Sequence, residues 1–303
     1  MSQQRRSRDE IIEYLQASRN WARWGDDDQR GTWNLVTADK RVAAAGLVKS
    51  GRTVSLSRPW PKEPAPGNPF PAQHFMQRVD KAEGSGLAED YIGAAFHGKT
   101  VTHLDALCHA WDGAGMWNGR APDREIAFDG ARWGAVDAWS DGLVTRGVLL
   151  DVPRHRGTSY VTIDQPVTGW ELDEVAAAQK TPVGGGDAVV VYSGREAWDR
   201  ENEAWAGLTE RPGLDASCLW FLRERDCAAI VWDMTDRMPN GYDLPFGVHS
   251  AIFAHGLALI DMALLEPLAV ACAEEGRWEF MLVVSPLPIP GGTGSPVNPL
   301  AIF

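Results

Sequence analysis

Two histidines and an aspartate fall within seven positions of "GKTVTHLDALCHAWDGAGMWNG" (98–119), in a chain that has only seven histidines among its 303 residues. His103 and Asp105 are two apart, so on a strand both project from one face with their tips in reach of a single ion. The preceding "KTVTHL" reads as that strand. An imidazole nitrogen beside a carboxylate oxygen suits zinc or manganese, and the second oxygen of Asp105 can bridge to another ion. His109 follows a short apolar stretch, close enough to share the cavity without sharing the metal, which leaves its imidazole free to carry protons. A lone His or Asp is ordinarily a surface residue or a satisfied core group, whereas three at this spacing beside Gly and Trp favour chemistry. A second set lies in "FGVHSAIFAHGLALID", which holds His249, His255 and Asp261. It reads as a short helix stopped by Gly256, then a strand ending in Asp261. On a helix, His249 and His255 point to different sides, so at most one of them faces a shared site.

The elements that must carry these residues form an α/β mixture. "GLVTRGVLLDVP", "DAVVVYSG", "AAIVWDM" and "EFMLVVSPLPI" are β-branched apolar runs bounded by Gly, Asp or Pro, with helical stretches between several of them, which predicts a buried sheet. A helix over residues 9–19 begins at an Asp9 cap, and another runs from Ala38 to Val48, before a Gly51 stop and a strand over Thr53–Ser57. Thr168 stands three residues before Glu171 in a capping-box pattern for a helix to Gln179, and "LDASCLWFLRERD" begins at another Asp cap. The Pro-rich span 59–71 cannot be regular structure. With no linker or repeat, the expectation is a single domain over 1–303, in which 1–50 form an N-terminal helical and loop extension.

"FHGKTVTHLDALCHAWDGAGMWNG" resembles the signature of the cyclase family that includes bacterial kynurenine formamidase, isatin hydrolase and other metal-dependent hydrolases. "WGDDDQRGTWNLVTADK" and "GLALIDMALLEPLAVACAEEGRWEFMLVVSPLPIPGGTGSPVNPLAIF" resemble its longer members, so the likeness spans most of residues 21–303. The resemblance implies a swivelling β/β/α fold, a homodimer or homotetramer, one or two divalent ions, His103 and Asp105 as ligands, and His109 as the proton shuttle. In kynurenine formamidase the bridging Asp shares a second ion with a His and a Glu twelve residues apart; His249 and Asp261 have that separation here, which favours His249 over His255. Asp in place of Glu is one methylene shorter. The usual signature also has a His four residues before the position of His103, and Lys99 stands there, with no lone pair for a metal. His97 would lie roughly 20 Å from His103 along an ideal strand, so only a bulge or turn brings it in. Three arrangements follow: a distorted loop lets His97 serve; only Asp105, His249 and Asp261 fill, helped by His103; or the Lys99 ammonium takes the place of an ion.

The expected activity is hydrolysis of a C–N bond in an amide, formamide or cyclic amide, or of a lactone, by metal-activated water with His109 moving the proton. A cyclase, dehydratase or lyase of secondary metabolism, metal-free and using Lys99 and His109, is the alternative, and a non-catalytic binding protein the third. Phe96, Trp111 and Trp117 could wall a pocket for a flat or apolar small molecule, although most of the fourteen tryptophans belong to core packing. "VGGGD" and "GGTGS" read as turns, the second able to bring backbone N–H groups near a developing oxyanion. No Gly-x-Ser-x-Gly elbow is present, and the four cysteines have no metal or disulfide spacing. A net charge of −12 without a basic run argues against nucleic acid, and the lack of any long apolar stretch against a membrane. A cytoplasmic protein is expected.

Overall fold

The four β-branched runs become neighbouring strands of one sheet. The structure, a computed structural model, describes residues 6–303; the first five residues of the expected N-terminal extension lie outside it. In chain order the strands are β1 (Thr53–Ser55), β2 (Gln73–Asp80), β3 (Gly86–Gly93), β4 (His103–Asp105), β5 (Ile126–Ala127), β6 (Gly130–Ala131), β7 (Leu143–Asp151), β8 (Ala188–Tyr192), β9 (Ala229–Trp232), β10 (Ala258–Asp261), β11 (Glu279–Val284), β12 (Gly294–Pro296) and β13 (Leu300–Ile302). Nine of them form a sheet in the order β1-β13-β11-β7-β8-β9-β10-β4-β12. Strands β7 to β10 run parallel, and the strands flanking them pair antiparallel. Every residue of β8, β9 and β10 is buried, as befits parallel strands covered on both faces. Helices cover the faces: Ala38–Ala45 packs on β7 and β11, Gly169–Ala178 on β7, and Glu266–Glu275 on β1 and β7.

Local chemistry moves several predicted boundaries. The first helix, Arg8–Ala17, is capped by Ser7 rather than Asp9, because the Ser7 hydroxyl accepts from the Glu10 amide while Glu10 accepts from the Ser7 amide. Thr168 occupies the cap position of Gly169–Ala178 but its hydroxyl caps nothing; Glu171 instead grips Arg156 through two bonds of 2.6 and 2.7 Å. In the helix Cys218–Glu224 the cap position is Ser217, and Asp215 accepts from the Ser217 amide one turn earlier. The strand expected over "KTVTHL" shrinks to His103–Asp105, because residues 98–101 bend.

Two elements stand apart from the sheet. β2 and β3 form an isolated hairpin with almost every residue exposed, and β5 and β6 make a short ribbon. No helix among the described residues is long and apolar enough to cross a membrane.

Candidate metal centre

Strand β4 puts His103 and Asp105 on one face and turns Leu104, fully buried, to the other. Its antiparallel partner β10 sets Asp261 directly opposite His103. Asp261 ends a parallel strand, the edge at which open α/β sheets gather their ligands. Beyond it Met262 takes a left-handed backbone conformation (φ 57°), costly for a non-glycine residue, and the corner is clamped from outside. The Met262 carbonyl accepts from Arg58 Nε at 3.0 Å and Thr102 Oγ1 at 2.7 Å, and Arg58 is itself paired with Glu196. These clamps fix the direction in which Asp261 points.

The bend at 98–101 brings in His97, which an ideal strand would have left distant. Its Nδ1 lies 2.9 Å from Asp105 Oδ1, and its ring stacks on His109 at 3.9 Å with 9° between the planes. Gly294 of β12 permits this close approach, since a β-carbon there would sit 2.9 Å from His97 Cε1 and 2.3 Å from the Leu104 carbonyl. The bend is held by the Lys99 carbonyl, which accepts from Arg195 Nη2 at 2.6 Å.

Three imidazoles are organised alike, each spending one nitrogen outward and turning the other inward. His103 Nδ1 donates to the Val101 carbonyl (2.8 Å), His249 Nδ1 donates to Asp236 Oδ2 (2.5 Å), and His97 Nε2 meets Thr293 Oγ1 (2.9 Å). The carbonyl and carboxylate acceptors fix the proton on Nδ1 of His103 and His249, so their Nε2 lone pairs face the site. His103 Nε2 lies 3.4 Å from Asp105 Oδ1, and His249 Nε2 lies 3.2 Å from Asp261 Oδ2 and 3.9 Å from Asp105 Oδ2. Trp232 Nε1 donates to Asp261 Oδ1 at 2.5 Å, leaving Oδ2 for the site.

Asp105 sits at the middle with 1% of its side chain exposed, and neither of its oxygens accepts a well-formed hydrogen bond among the described residues. Burial alone would raise its pKa, yet His97, His103 and His109 around it hold it well below the usual carboxylate range. Burial likewise pulls His249 down, but Asp236 and Asp261 overcome it and hold its pKa well above the ordinary value. Asp105 is thus kept ionised, and the carboxylates around His249 favour positive charge at its position. Ligand atoms of His103, Asp105 and Asp261 lie within 4.8 Å of one another, and so do those of His97, Asp105 and His109. A buried carboxylate without hydrogen-bond donors, ringed by imidazole lone pairs that outer groups orient, fits a divalent ion, with Asp105 common to both groups.

His109 stands at the rim of this centre, and other sequence candidates lie outside it. His109 is the most open of the three imidazoles around Asp105, with 31% of its side chain exposed and Nε2 3.9 Å from Asp105 Oδ1; burial pushes its pKa down. His255 faces away, buried against Ser18 Oγ at 2.9 Å. Lys99 directs its ammonium to the Leu208 carbonyl at 3.3 Å rather than toward Asp105, so the arrangement in which it replaces an ion is not the one adopted. Trp117 is a core anchor and not a pocket wall, fully buried with Nε1 donating to the Asp28 carbonyl at 3.0 Å. Trp111 stays 43% exposed. Phe96 lies 4.6 Å from the His97 ring and lines a groove of about 430 Å³ with Phe128, Ile289 and Thr293. In "GGTGS" the amides of Gly291 and Gly292 are spent on Asp137 and the Ile289 carbonyl, so neither is free for an oxyanion. Sequence reading missed Asp236, Trp232, Arg58 and Arg195. Only the position of Asp236, four residues past a buried strand, hinted at a role.

Comparison with known proteins supplies the wider setting. The Cyclase family, described as "Putative cyclase", matches residues 53–237. The crystal structure of a novel cyclase is similar at 30% identity and a TM-score of 0.86, covering 95% of this chain and 99% of that one. An isatin hydrolase bound to the product analogue thioisatinate is similar at 17% identity and a TM-score of 0.59, covering 88% of this chain and 99% of its own. Isatin hydrolase A from Labrenzia aggregata, bound to benzyl benzoate, gives 18% identity and a TM-score of 0.57 over 87% and 97% of the two chains. No curated protein matches the sequence. The structural likenesses bear out the swivelling β/β/α architecture expected from the sequence.

Proposed function

The chain belongs to the cyclase family, and from that premise we propose that it is a metal-dependent hydrolase opening a C–N bond in an amide, formamide or cyclic amide, or the ester bond of a lactone. One observation carries the reading: three imidazoles with outward nitrogens already spent converge on a buried carboxylate that lacks hydrogen-bond donors. When bound, a divalent ion such as zinc or manganese supplies a Lewis acid and lowers the pKa of water in its shell. His103, Asp105 and Asp261, flanked by His249, would hold one ion, and His97 with Asp105 a second. His109, at the open side, takes a proton from water at Nε2 and returns it to the leaving nitrogen, or to the leaving oxygen of a lactone. The groove beside Phe96 receives the small-molecule substrate. The metal-free alternative needed the Lys99 charge beside His109, and the Lys99 ammonium lies elsewhere.

The proposal extends to the assembly and its setting. Phe75 and Tyr91 stack across the exposed hairpin at 62% and 58% exposure, with Val79 and Leu87 paired on the same face. A lone two-stranded ribbon is marginal in water. Eight residues per strand give a ribbon of roughly 26 Å. Two such ribbons exchanged between copies bury on the order of 1,000 Å², the threshold for a specific interface. A homodimer, alone or as half of a homotetramer, follows. All four cysteines are buried and free, in keeping with a reducing cytoplasm.

Metal analysis by plasma mass spectrometry, on protein purified without chelator or immobilised metal, tests the central reading. One or two equivalents in the wild type, lost in Asp105→Ala, together with turnover in an amide and lactone panel, are expected. A metal-free wild type after reconstitution with zinc and with manganese would overturn it.

A further inference from the structure

Lys99 and Arg211 are cations without counterions among the described residues, in a chain that has 41 acidic and 29 basic residues. Several part-buried cations are paired, Arg156 with Glu171, Lys40 with Asp187 and Arg58 with Glu196, whereas Arg237 and Arg277 lack an ion pair among the described residues but are not among the charges that act on Lys99. Neither Lys99 nor Arg211 makes an ion pair among the described residues. One of the three ammonium donors of Lys99 is used, on the Leu208 carbonyl, and Arg211 Nε is buried with no acceptor. The charges that act on Lys99 are themselves cations, Arg211 and Arg195. The carboxylate that acts on Arg211 is Asp236, and both its oxygens are committed, to the Val248 amide and to His249, at 2.5 Å each.

Arg195 and Trp205 link the two. The guanidinium groups of Arg195 and Arg211 lie over the Trp205 ring at 4.7 and 5.3 Å, and Arg195, 3% exposed, ties the Lys99 carbonyl. Arg195 does have a distant carboxylate, Asp199 at 3.7 Å, and acts as the support; Lys99 and Arg211 are the part-exposed members. Concentrating like charges costs free energy unless an anion joins them. The position matches the metal centre, because Lys99 follows His97 by two residues and Asp236, the neighbour of Arg211, orients His249.

We propose that Lys99 and Arg211 form an anion seat beside the metal centre that takes a carboxylate carried by the substrate, separate from the carbonyl that reacts. A planar guanidinium matches a carboxylate edge, and the adjacent ammonium adds a second charge-assisted bond. The use of the seat rests on the hydrolase reading above, but its existence does not. It narrows the substrate class to amides or lactones that bear a free carboxylate, with neutral analogues disfavoured.

Calorimetric titration of the full chain as purified, with benzoate and with benzamide as the neutral control, tests this. Lys99→Met and Arg211→Gln should each weaken benzoate about tenfold or more, leave benzamide and metal content unchanged, and Lys99→Arg should restore most of the affinity. Two separate variants keep the test valid if one misfolds. Benzoate affinity unchanged in both folded variants, or no saturable benzoate binding by wild type, overturns the seat. Benzoate binding that depends on Lys99 and Arg211 in a chain shown to hold no metal would instead keep the seat and remove the hydrolase reading.

Discussion

Replacing Asp236 with Asn changes no volume, yet it turns one of two acceptor oxygens into a donor at the atom that orients His249. Asp236 Oδ1 accepts from the Val248 amide and Oδ2 from His249 Nδ1, each at 2.5 Å. An Asn side chain can satisfy one of these donors only. If its oxygen stays on Val248, its amide faces His249 Nδ1, which must then accept, and the imidazole proton moves to Nε2. That proton occupies the lone pair now turned toward Asp261 at 3.2 Å and Asp105 at 3.9 Å. If the amide flips, a buried Val248 N–H faces a second donor, at about 1–3 kcal/mol. Either way the ion loses a well-oriented imidazole. Outer partners of this kind are worth about 10- to 100-fold in metal affinity, or about 1.4–2.8 kcal/mol. Competition for zinc against a chromophoric chelator measures it, with the melting temperature of the metal-free protein read alongside. Zinc affinity of Asp236→Asn within twofold of wild type would refute the orienting role, because no tautomer satisfies both donors and keeps the Nε2 lone pair.

Three further outcomes are expected. His109→Ala should lower turnover about 100-fold or more at unchanged metal content, whereas His97→Ala should lose about one equivalent of metal; metal loss in both would make His109 a ligand instead of the proton carrier. His255, buried and pushed down to about 3, stays neutral in the fold while the unfolded chain takes up a proton below its ordinary value. Stability is therefore unaffected above about pH 6.5 and falls as pH drops below it, by about 1.4 kcal/mol per unit; denaturant melts of His255→Gln should show a shallower loss between pH 6.5 and 5, and an identical slope would remove His255 from the account. Phe75→Asp combined with Tyr91→Asp should convert a wild-type dimer or tetramer into monomer by light scattering, with unchanged circular dichroism; an unchanged mass would show that the hairpin is not the interface.

What could be read in advance follows the range over which each cause acts. His103 and Asp105 were legible because a two-residue spacing fixes the face of a strand whatever lies around it, and the boundary at Gly256 because a left-handed stop (φ 69°) is a local demand. His97 depended on a bend held by Arg195, almost one hundred residues later, and on the missing β-carbon of Gly294. No pattern within 98–103 records either contact, so the ideal-strand estimate placed it too far away. Asp236 and Arg58 act through partners brought near by the sheet order, in which β9, β10 and β4 lie side by side although the chain makes them far apart. The same topology explains the Lys99 reading. A lysine in the place of an expected ligand looks like a substitute for an ion only while the strand is taken as straight; once the chain bends, His97 takes the inward position and the Lys99 ammonium turns to Leu208 and the company of Arg211. An inward imidazole therefore stands two residues upstream of Lys99, at His97, and Lys99 carries a positive charge with no ion-pair partner among the described residues.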